Sequence, residues 1–191
     1  MDKQKAIAIT TEVFELYTRY GSSDYIGEPV SQLEHMCQAA QMAAAEGADD
    51  EMVLAAFFHD IGHLCEFIMP LEKMEGIGIV DHESIGEEYL LSHGFSPRLG
   101  RLVQGHVPAK RYLTFKYPEY YQRLSQASKE TLTIQGGVMQ ADEAAAFEAD
   151  PLFADYIKMR EWDDRAKLVN TSIPDLDFLK EMAIQHLMNQ N

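Results

Sequence analysis

Apolar and polar positions recur with the period of an α-helix over most of the chain. A first amphipathic segment covers about 3–20 and ends at Gly21, and a loop follows at 21–29. Behind this loop, Ser31 and Glu34 form the S-x-x-E pattern of a helix capping box. We therefore predict one helix before the loop and a second helix that starts at the box.

The segment that follows Asp49 and Asp50 has a different pattern, because its body MVLAAFF is apolar on every side. A helix of this composition is buried and does not lie on the surface. The pattern predicts a loop at about 66–80, helices at about 82–92 and 97–106, and further helix starts at Pro118, Ser128, Asp150–Pro151 and Pro174. Strand-type alternation is absent over any useful length, so the chain is predicted to be all-α.

Length and composition fit one domain with a substantial core. The chain has 191 residues, of which 46% are hydrophobic and 25% charged, and no repeat, low-complexity tract or linker divides it. Its 31 acidic and 16 basic residues give a net charge of -15. This charge disfavours nucleic acid or an anionic membrane as the main partner. An anionic substrate would need a local cationic site, made of metal ions and a few basic side chains.

The cysteines and the N-terminal segment indicate where the chain is found. Cys37 and Cys65 are too few for a disulfide framework, so we expect buried thiols in a reducing compartment. The N-terminal residues MDKQKAIAITTEVFELY lack the pattern of a signal peptide, and no window approaches the ~20 apolar residues of a membrane span. We therefore expect a soluble, cytoplasmic protein.

His59 and Asp60 are the sharpest local signal for chemistry, because they follow the apolar run directly. Burying two ionisable groups is costly unless something pairs with them. A divalent metal would stabilise both the imidazole and the carboxylate. A His–Asp pair that is hydrogen-bonded at a helix end is the alternative on this dipeptide alone.

Three further histidines favour the metal. His35 lies on an otherwise apolar helix face, His82 opens a helix after Asp81, and His106 is expected to close the amphipathic helix LGRLVQGH. Each of them alone is typical of a core or surface histidine. Four histidines on separate helix ends or inward faces, together with Asp60, predict a buried metal site.

The order H…HD…H…H…D resembles the HD-domain superfamily, whose helical members bind metal through a His-Asp pair. The resemblance rests on DYIGEPVSQLEH (24–35), HDIGH (59–63), DHESIG (81–86), GHVPAKRYL (105–113) and MREWDDRAK (159–167). Together these strings are similar to the mixed-valence di-iron oxygenases that cleave carbon–phosphorus bonds and, more distantly, to myo-inositol oxygenase. The resemblance implies a single HD domain over 1–191, a helical bundle with a di-metal core at about 20–170 and a C-terminal helix at about 174–190.

The resemblance also implies two iron ions as an Fe(II)/Fe(III) pair, with O₂ as co-substrate. The implied ligands are His35, His59 and Asp163 for one iron, His82 and His106 for the other, and Asp60 as the bridge. The ligand residues by themselves would also suit Mn²⁺ or Zn²⁺. Asp164 competes with Asp163, which is preferred because Arg160, Asp163 and Lys167 share one helix face.

Further residues have implied substrate roles. A phosphonate would be bound by Lys110, Ser128, Thr131, Arg160 and His63, with Ser128 expected as a helix N-cap whose helix offers free N–H groups. Tyr25 would occupy an iron position until substrate arrives, and Glu28 would contact the substrate's ammonium. Tyr25 and His63 are the expected catalytic residues. From the residues alone, purely structural roles are the alternatives: surface cations, a plain helix cap, a core histidine and a capped loop.

The implied reaction cleaves a 1-hydroxy-2-(amino or trimethylammonio)ethylphosphonate to glycine or glycine betaine and inorganic phosphate. A separate 2-oxoglutarate-dependent hydroxylase would supply the substrate. Three alternatives are an HD-type phosphohydrolase of a phosphomonoester or nucleotide, a non-catalytic ligand sensor, and ring cleavage of the myo-inositol type. The sequence does not decide between the primary amine and the trimethylammonium group.

Overall fold

A computed structural model describes residues 1–25, 27–74 and 78–190. Its α-helices are α1 Lys3–Tyr20, α2 Gln32–Ala45, α3 Asp50–Phe58, α4 Ile61–Leu64, α5 His82–Ser92, α6 Pro97–Lys116, α7 Pro118–Arg123, α8 Gln126–Ile134, α9 Ala141–Glu148, α10 Phe153–Arg165 and α11 Asp177–Asn189. A 3₁₀ turn covers Cys65–Phe67, and strands β1 (Lys73–Met74) and β2 (Gly78–Ile79) pair antiparallel. The all-α prediction is confirmed, with this small hairpin inside the predicted loop.

The predicted start of α2 is confirmed by a complete capping box. The Glu34 backbone N–H donates to Ser31 Oγ at 3.2 Å, and the Ser31 N–H donates to Glu34 Oε2 at 2.7 Å. Gly21 caps α1, but its φ of -65° is right-handed. A Cβ at Gly21 would lie 2.5 Å from the Tyr17 carbonyl oxygen and 2.9 Å from Leu33 Cβ. The glycine is therefore required by close packing. It is not required by a left-handed backbone conformation.

Helix α6 is longer than predicted, and the prediction that His106 closes its helix is wrong. The helix continues through Pro108, which lacks a backbone N–H and would normally favour a helix break. Tertiary packing outweighs that preference. Gly105 lies so close to α10 that a Cβ there would be 2.2 Å from the Tyr156 ring. His106 is therefore held in the middle of a buried helix.

Ser128 is also not an N-cap, contrary to the prediction. Ser125 caps α8 by accepting a hydrogen bond from the Ser128 backbone N–H at 3.1 Å. The cap therefore lies one turn earlier, and the Ser128 side chain is left for other contacts. Helix α9 is not among the predicted elements, and α11 begins later than the expected C-terminal helix at about 174.

The main hydrophobic core is built around α3, whose residues from Met52 to Phe58 are all buried. The Phe57 ring stacks on the rings of Tyr17 at 4.4 Å and Phe14 at 5.3 Å between centroids. A second apolar cluster comprises Tyr112, Leu113, Tyr120, Leu124, Leu132, Met139 and Ala144. Because α3 ends in this core, it delivers the residues that follow it, His59 and Asp60, to the buried interior.

Among the described helices, none combines the length and the apolar character that crossing a membrane requires. That the chain is a single domain stays a prediction.

Candidate metal centre

Six ligand-type side chains from different helices meet in the interior, and each is at most 4% exposed. They are His35 on α2, His59 and Asp60 between α3 and α4, His82 at the start of α5, His106 in α6, and Asp163 in α10. The structure thus brings together all six residues for which the sequence implied metal binding.

The first group contains His35, His59 and Asp163. The two Nε2 atoms lie 3.0 Å apart. Asp163 Oδ1 is 3.4 Å from His35 Nε2 and 4.0 Å from His59 Nε2. Asp60 Oδ2 completes the group at 3.5 Å from His35 Nε2 and 3.4 Å from His59 Nε2. Two imidazoles and two carboxylate oxygens thus surround one point.

The second group contains His82 and His106, whose Nε2 atoms are 3.1 Å apart. The other oxygen of Asp60, Oδ1, is 3.2 Å from His82 Nε2 and 3.5 Å from His106 Nε2. Asp60 therefore presents one carboxylate oxygen to each histidine pair, which is the geometry that a bridging ligand requires.

Hydrogen bonds fix the histidine tautomers in a way that fits metal ions. Three Nδ1 atoms donate to backbone carbonyls: His35 to Ala166 at 2.9 Å, His59 to Ala56 at 2.8 Å, and His106 to Val103 at 2.6 Å. Each Nε2 atom then points to the neighbouring Nε2, which is unfavourable unless a metal ion or a proton lies between the two nitrogens. Metal–nitrogen bonds of about 2.0–2.1 Å place two ligands roughly 3 Å apart. Asp60 Oδ2 is buried and has no hydrogen-bond partner within the described part of the chain. The donor set therefore fits two metal ions.

The electrostatics of the centre attract positive charge. Burial alone would raise the pKa of Asp60, but His59, His106 and His35 hold it well below its usual range. Burial would likewise lower the pKa of His35, yet hydrogen bonds to Asp163 and Asp60 raise it to about 9. A carboxylate that stays ionised in a dry interior needs a cation beside it.

His63 lies beside the centre, and its ring stacks on His82 at 4.0 Å between centroids. Asp60, His63 and His82 are close enough to form a metal site by themselves. However, His63 Nδ1 accepts a hydrogen bond from the Ile79 N–H at 3.3 Å, so Nε2 carries the proton of the neutral ring. Burial and the charge of His82 keep its pKa well below the usual range. His63 is thus a neutral donor, and His106 is the better ligand.

Arg160 distinguishes the two neighbouring aspartates. Its Nη1 donates to Asp163 Oδ2 at 2.6 Å, while Nη2 pairs with Asp164. Tyr120 accepts from Arg160 Nε at 2.9 Å and donates to Asp164 Oδ2 at 2.5 Å. Asp163 therefore has one oxygen on Arg160 and one at the histidines, whereas Asp164 is directed to Tyr120. This geometry favours Asp163 as the ligand.

A cavity of about 60 Å³ opens beside the two groups. Eleven of the thirteen predicted site residues line it: Tyr25, Glu28, Asp60, His63, His82, His106, Lys110, Ser128, Thr131, Arg160 and Asp163. His35 and His59 do not line it. Gln32 and Gln135 also line it, and their amide oxygens are buried without a hydrogen-bond partner among the described residues. Sequence reasoning missed both, although Gln32 is three residues before His35 and Gln135 four after Thr131.

Lys110 gives the cavity a buried cation. Its Nζ donates to Thr131 Oγ1 at 2.9 Å, and the side chain is almost fully enclosed. Burial, together with the charge of Arg160, lowers the pKa of Lys110 to about 7. A buried ammonium whose hydrogen-bond partner is a neutral hydroxyl would be stabilised by binding an anion.

The loop before α2 lies against the centre. The half-buried Tyr25 ring stacks on His35 at 4.1 Å between centroids. Burial raises the pKa of its phenol well above the usual range, and Asp60 and Asp163 raise it further. Gly27 has a φ of +77°, and a Cβ there would lie 2.7 Å from Ala127 Cβ, so the loop packs tightly on α8. Ile26 lies outside the described residues.

The lowered pKa of Lys110 predicts how anion binding depends on pH. A bound dianion raises this pKa, so binding takes up a proton above about pH 7. We therefore expect the affinity for inorganic phosphate to fall by up to about tenfold per pH unit between about pH 7 and 9. In Lys110→Arg the cation stays charged and the affinity should be nearly constant over this range. Calorimetric titration with phosphate measures both. An unchanged affinity of the wild type over this range would contradict the assignment.

A family model described as the HD domain matches residues 32–143, which is more than half of the chain. The chain belongs to the HD-domain family. The match covers His35, His59, Asp60, His82 and His106, and it leaves Asp163 outside.

Three relatives of this HD domain extend the comparison. An uncharacterized protein of Acanthamoeba polyphaga mimivirus is 44% identical, over 96% of this chain and 84% of the relative. A 1-hydroxy-2-(trimethylamino)ethylphosphonate dioxygenase (glycine-betaine-forming) of Leisingera caerulea is 40% identical, over 84% and 81%. A hydroxymethylphosphonate dioxygenase of Gimesia maris is 38% identical, over 87% and 82%. The resemblance to HD-domain phosphonate oxygenases is thus confirmed, and these relatives support the prediction of an enzyme.

Proposed function

We propose that this HD domain is an O₂-dependent di-iron oxygenase that cleaves the carbon–phosphorus bond of a 1-hydroxyphosphonate. One observation carries the proposal: two histidine pairs share the Asp60 carboxylate beside the buried ammonium of Lys110. One hydroxyphosphonate and one O₂ would give one carboxylate and one phosphate, and the atoms of this reaction balance.

Six residues would hold the metals. His35, His59 and Asp163 would bind one iron and His82 and His106 the other, with Asp60 as the bridge. When bound as an Fe(II)/Fe(III) pair, the irons would supply Lewis acidity and the electrons for O₂ chemistry. With seven protein ligand atoms from six residues between the two irons, the centre leaves positions for substrate.

The remaining residues would orient the substrate. Lys110 and the hydroxyls of Thr131 and Ser128 would bind the phosphonate oxygens, because they converge on the same cavity. His63 would donate its Nε2 proton to the same group, since Ile79 occupies its Nδ1. Arg160 has Asp163 and Asp164 as partners, so its main effect would be to position Asp163.

Tyr25 would control access to the metals. Its ring lies against His35, and the loop that carries it covers the cavity. The phenol would exclude O₂ from the centre until substrate enters and displaces it. Buried Cys37 and Cys65 support a reducing, cytoplasmic location, and we infer that a separate 2-oxoglutarate-dependent hydroxylase makes the substrate.

Dependence on oxygen tests the proposal. The iron-loaded enzyme should release phosphate from at least one of three substrates: hydroxymethylphosphonate and the 2-amino and 2-trimethylammonio 1-hydroxyethylphosphonates. Release should stop when oxygen is excluded and resume when it is readmitted, with one O₂ consumed per phosphate. Phosphate assays and an oxygen electrode provide the measurement.

The alternative is an HD-type phosphohydrolase, which would use the same ligands to activate water. Under that function, phosphate would be released from a phosphomonoester or nucleotide at the same rate with and without oxygen, and the three hydroxyphosphonates would remain intact.

A further inference from the structure

Glu28 has a cationic partner inside the protein itself. Its Oε1 lies 2.7 Å from Lys167 Nζ, and the two side chains are only 8% and 16% exposed. The Lys167 ammonium also lies 6.0 Å from the centroid of the Tyr25 ring. An ion pair this enclosed is screened little by water or salt. The charge of Glu28 is therefore already neutralised within the protein.

The charge of Lys110, which lines the same cavity, is balanced differently. Lys110 is hydrogen-bonded to the neutral hydroxyl of Thr131, so its charge has no carboxylate within hydrogen-bond distance among the described residues. An anionic group is thus favoured at Lys110. The Glu28 carboxylate does not favour a cation in the same way, because Lys167 already neutralises it.

A substrate with an ammonium group would meet a penalty at Glu28. If Lys167 stayed, two positive charges would lie side by side. If Lys167 left, a largely buried lysine would lose its carboxylate partner, which is costly. A hydroxyphosphonate without a cationic group meets neither penalty.

We propose that Lys167 determines substrate specificity by acting as the internal counter-ion of Glu28. It selects a small 1-hydroxyphosphonate that has no ammonium group, of which hydroxymethylphosphonate is the simplest. This inference rests on the proposed function for the reaction, but the binding preference that it predicts is measurable without turnover.

Binding of three hydroxyphosphonates to the iron-loaded enzyme without oxygen tests the inference by calorimetry. The wild type should bind hydroxymethylphosphonate about tenfold or more tightly than either the 2-amino or the 2-trimethylammonio compound. Lys167→Met frees Glu28, so the ratio should move about tenfold or more towards the ammonium compounds. Lys158→Met is the matched control, because Lys158 is half-exposed on α10 and pairs with Glu161. It should keep the wild-type ratio.

Lys167→Gln provides a second variant in case Lys167→Met does not fold, and thermal melting checks both. A wild type that prefers an ammonium compound would overturn the inference, as would an unchanged ratio in the folded Lys167 variant. Glu28→Gln should move the ratio further against the ammonium compounds, because Lys167 then lacks its carboxylate. Absence of O₂-dependent phosphate release from all three compounds would overturn the proposed function, while the binding ratio would still test Lys167.

Discussion

Asp60→Asn should remove both metal ions and abolish activity. The two oxygens of Asp60 face different histidine pairs, at 3.4 Å from His59 Nε2 and 3.2 Å from His82 Nε2. An amide keeps the shape of the side chain but replaces one charged oxygen with an NH₂ group, which cannot bind a metal. One histidine pair would then face a neutral amide oxygen in place of a carboxylate oxygen. The other pair would face the NH₂ group, which is a hydrogen-bond donor.

We expect iron bound to purified Asp60→Asn to fall to about a tenth of the wild-type content, with turnover lower by on the order of a thousandfold. Metal analysis by plasma mass spectrometry gives the iron content per chain. Asp155→Asn is the control, since Asp155 pairs with Arg98 on the surface of α10 and should retain both irons. Two irons per chain in Asp60→Asn would remove the bridging role.

The neighbouring pair Asp163 and Asp164 should respond very differently to the same substitution. Asp163→Asn should lose one iron and about a hundredfold or more of activity, because Oδ1 of Asp163 lies 3.4 Å from His35 Nε2. Asp164→Asn should retain both irons, because Asp164 contacts Tyr120 and Arg160. Its activity should fall by at most about tenfold, through a less firmly held Arg160.

Metal analysis and phosphate release, measured on both variants in parallel, separate these outcomes. Equal loss of iron in the two variants would mean that the aspartates act as one unit. Loss of iron only in Asp164→Asn would reverse the assignment. The two substitutions are chemically identical and lie on adjacent residues of one helix, so each variant serves as the control for the other.

Much of the fold was predictable because its signals are local. The capping box at Ser31 and Glu34 and the apolar body of α3 involve neighbouring residues, and both are confirmed. The N-cap at Ser128 and the helix end at His106 were predicted wrongly, because local signals alone do not decide them. Ser125 and Ser128 both suit an N-cap by type, and Pro108 favours a break that packing against α10 prevents.

The sequence by itself determined the helical class and the residue types of the centre, since His59 and Asp60 follow a wholly apolar helix. Tertiary structure alone decided how these residues are used. The division of Asp60 between two histidine pairs depends on four separate helices, and the tautomer of His63 depends on the distant Ile79 N–H. Glu28 and Lys167 are separated by 139 positions along the chain, so no local pattern could pair them. The sequence gives the charge of each side chain. The pairing of these charges depends on distances between side chains, which are set only when the chain folds.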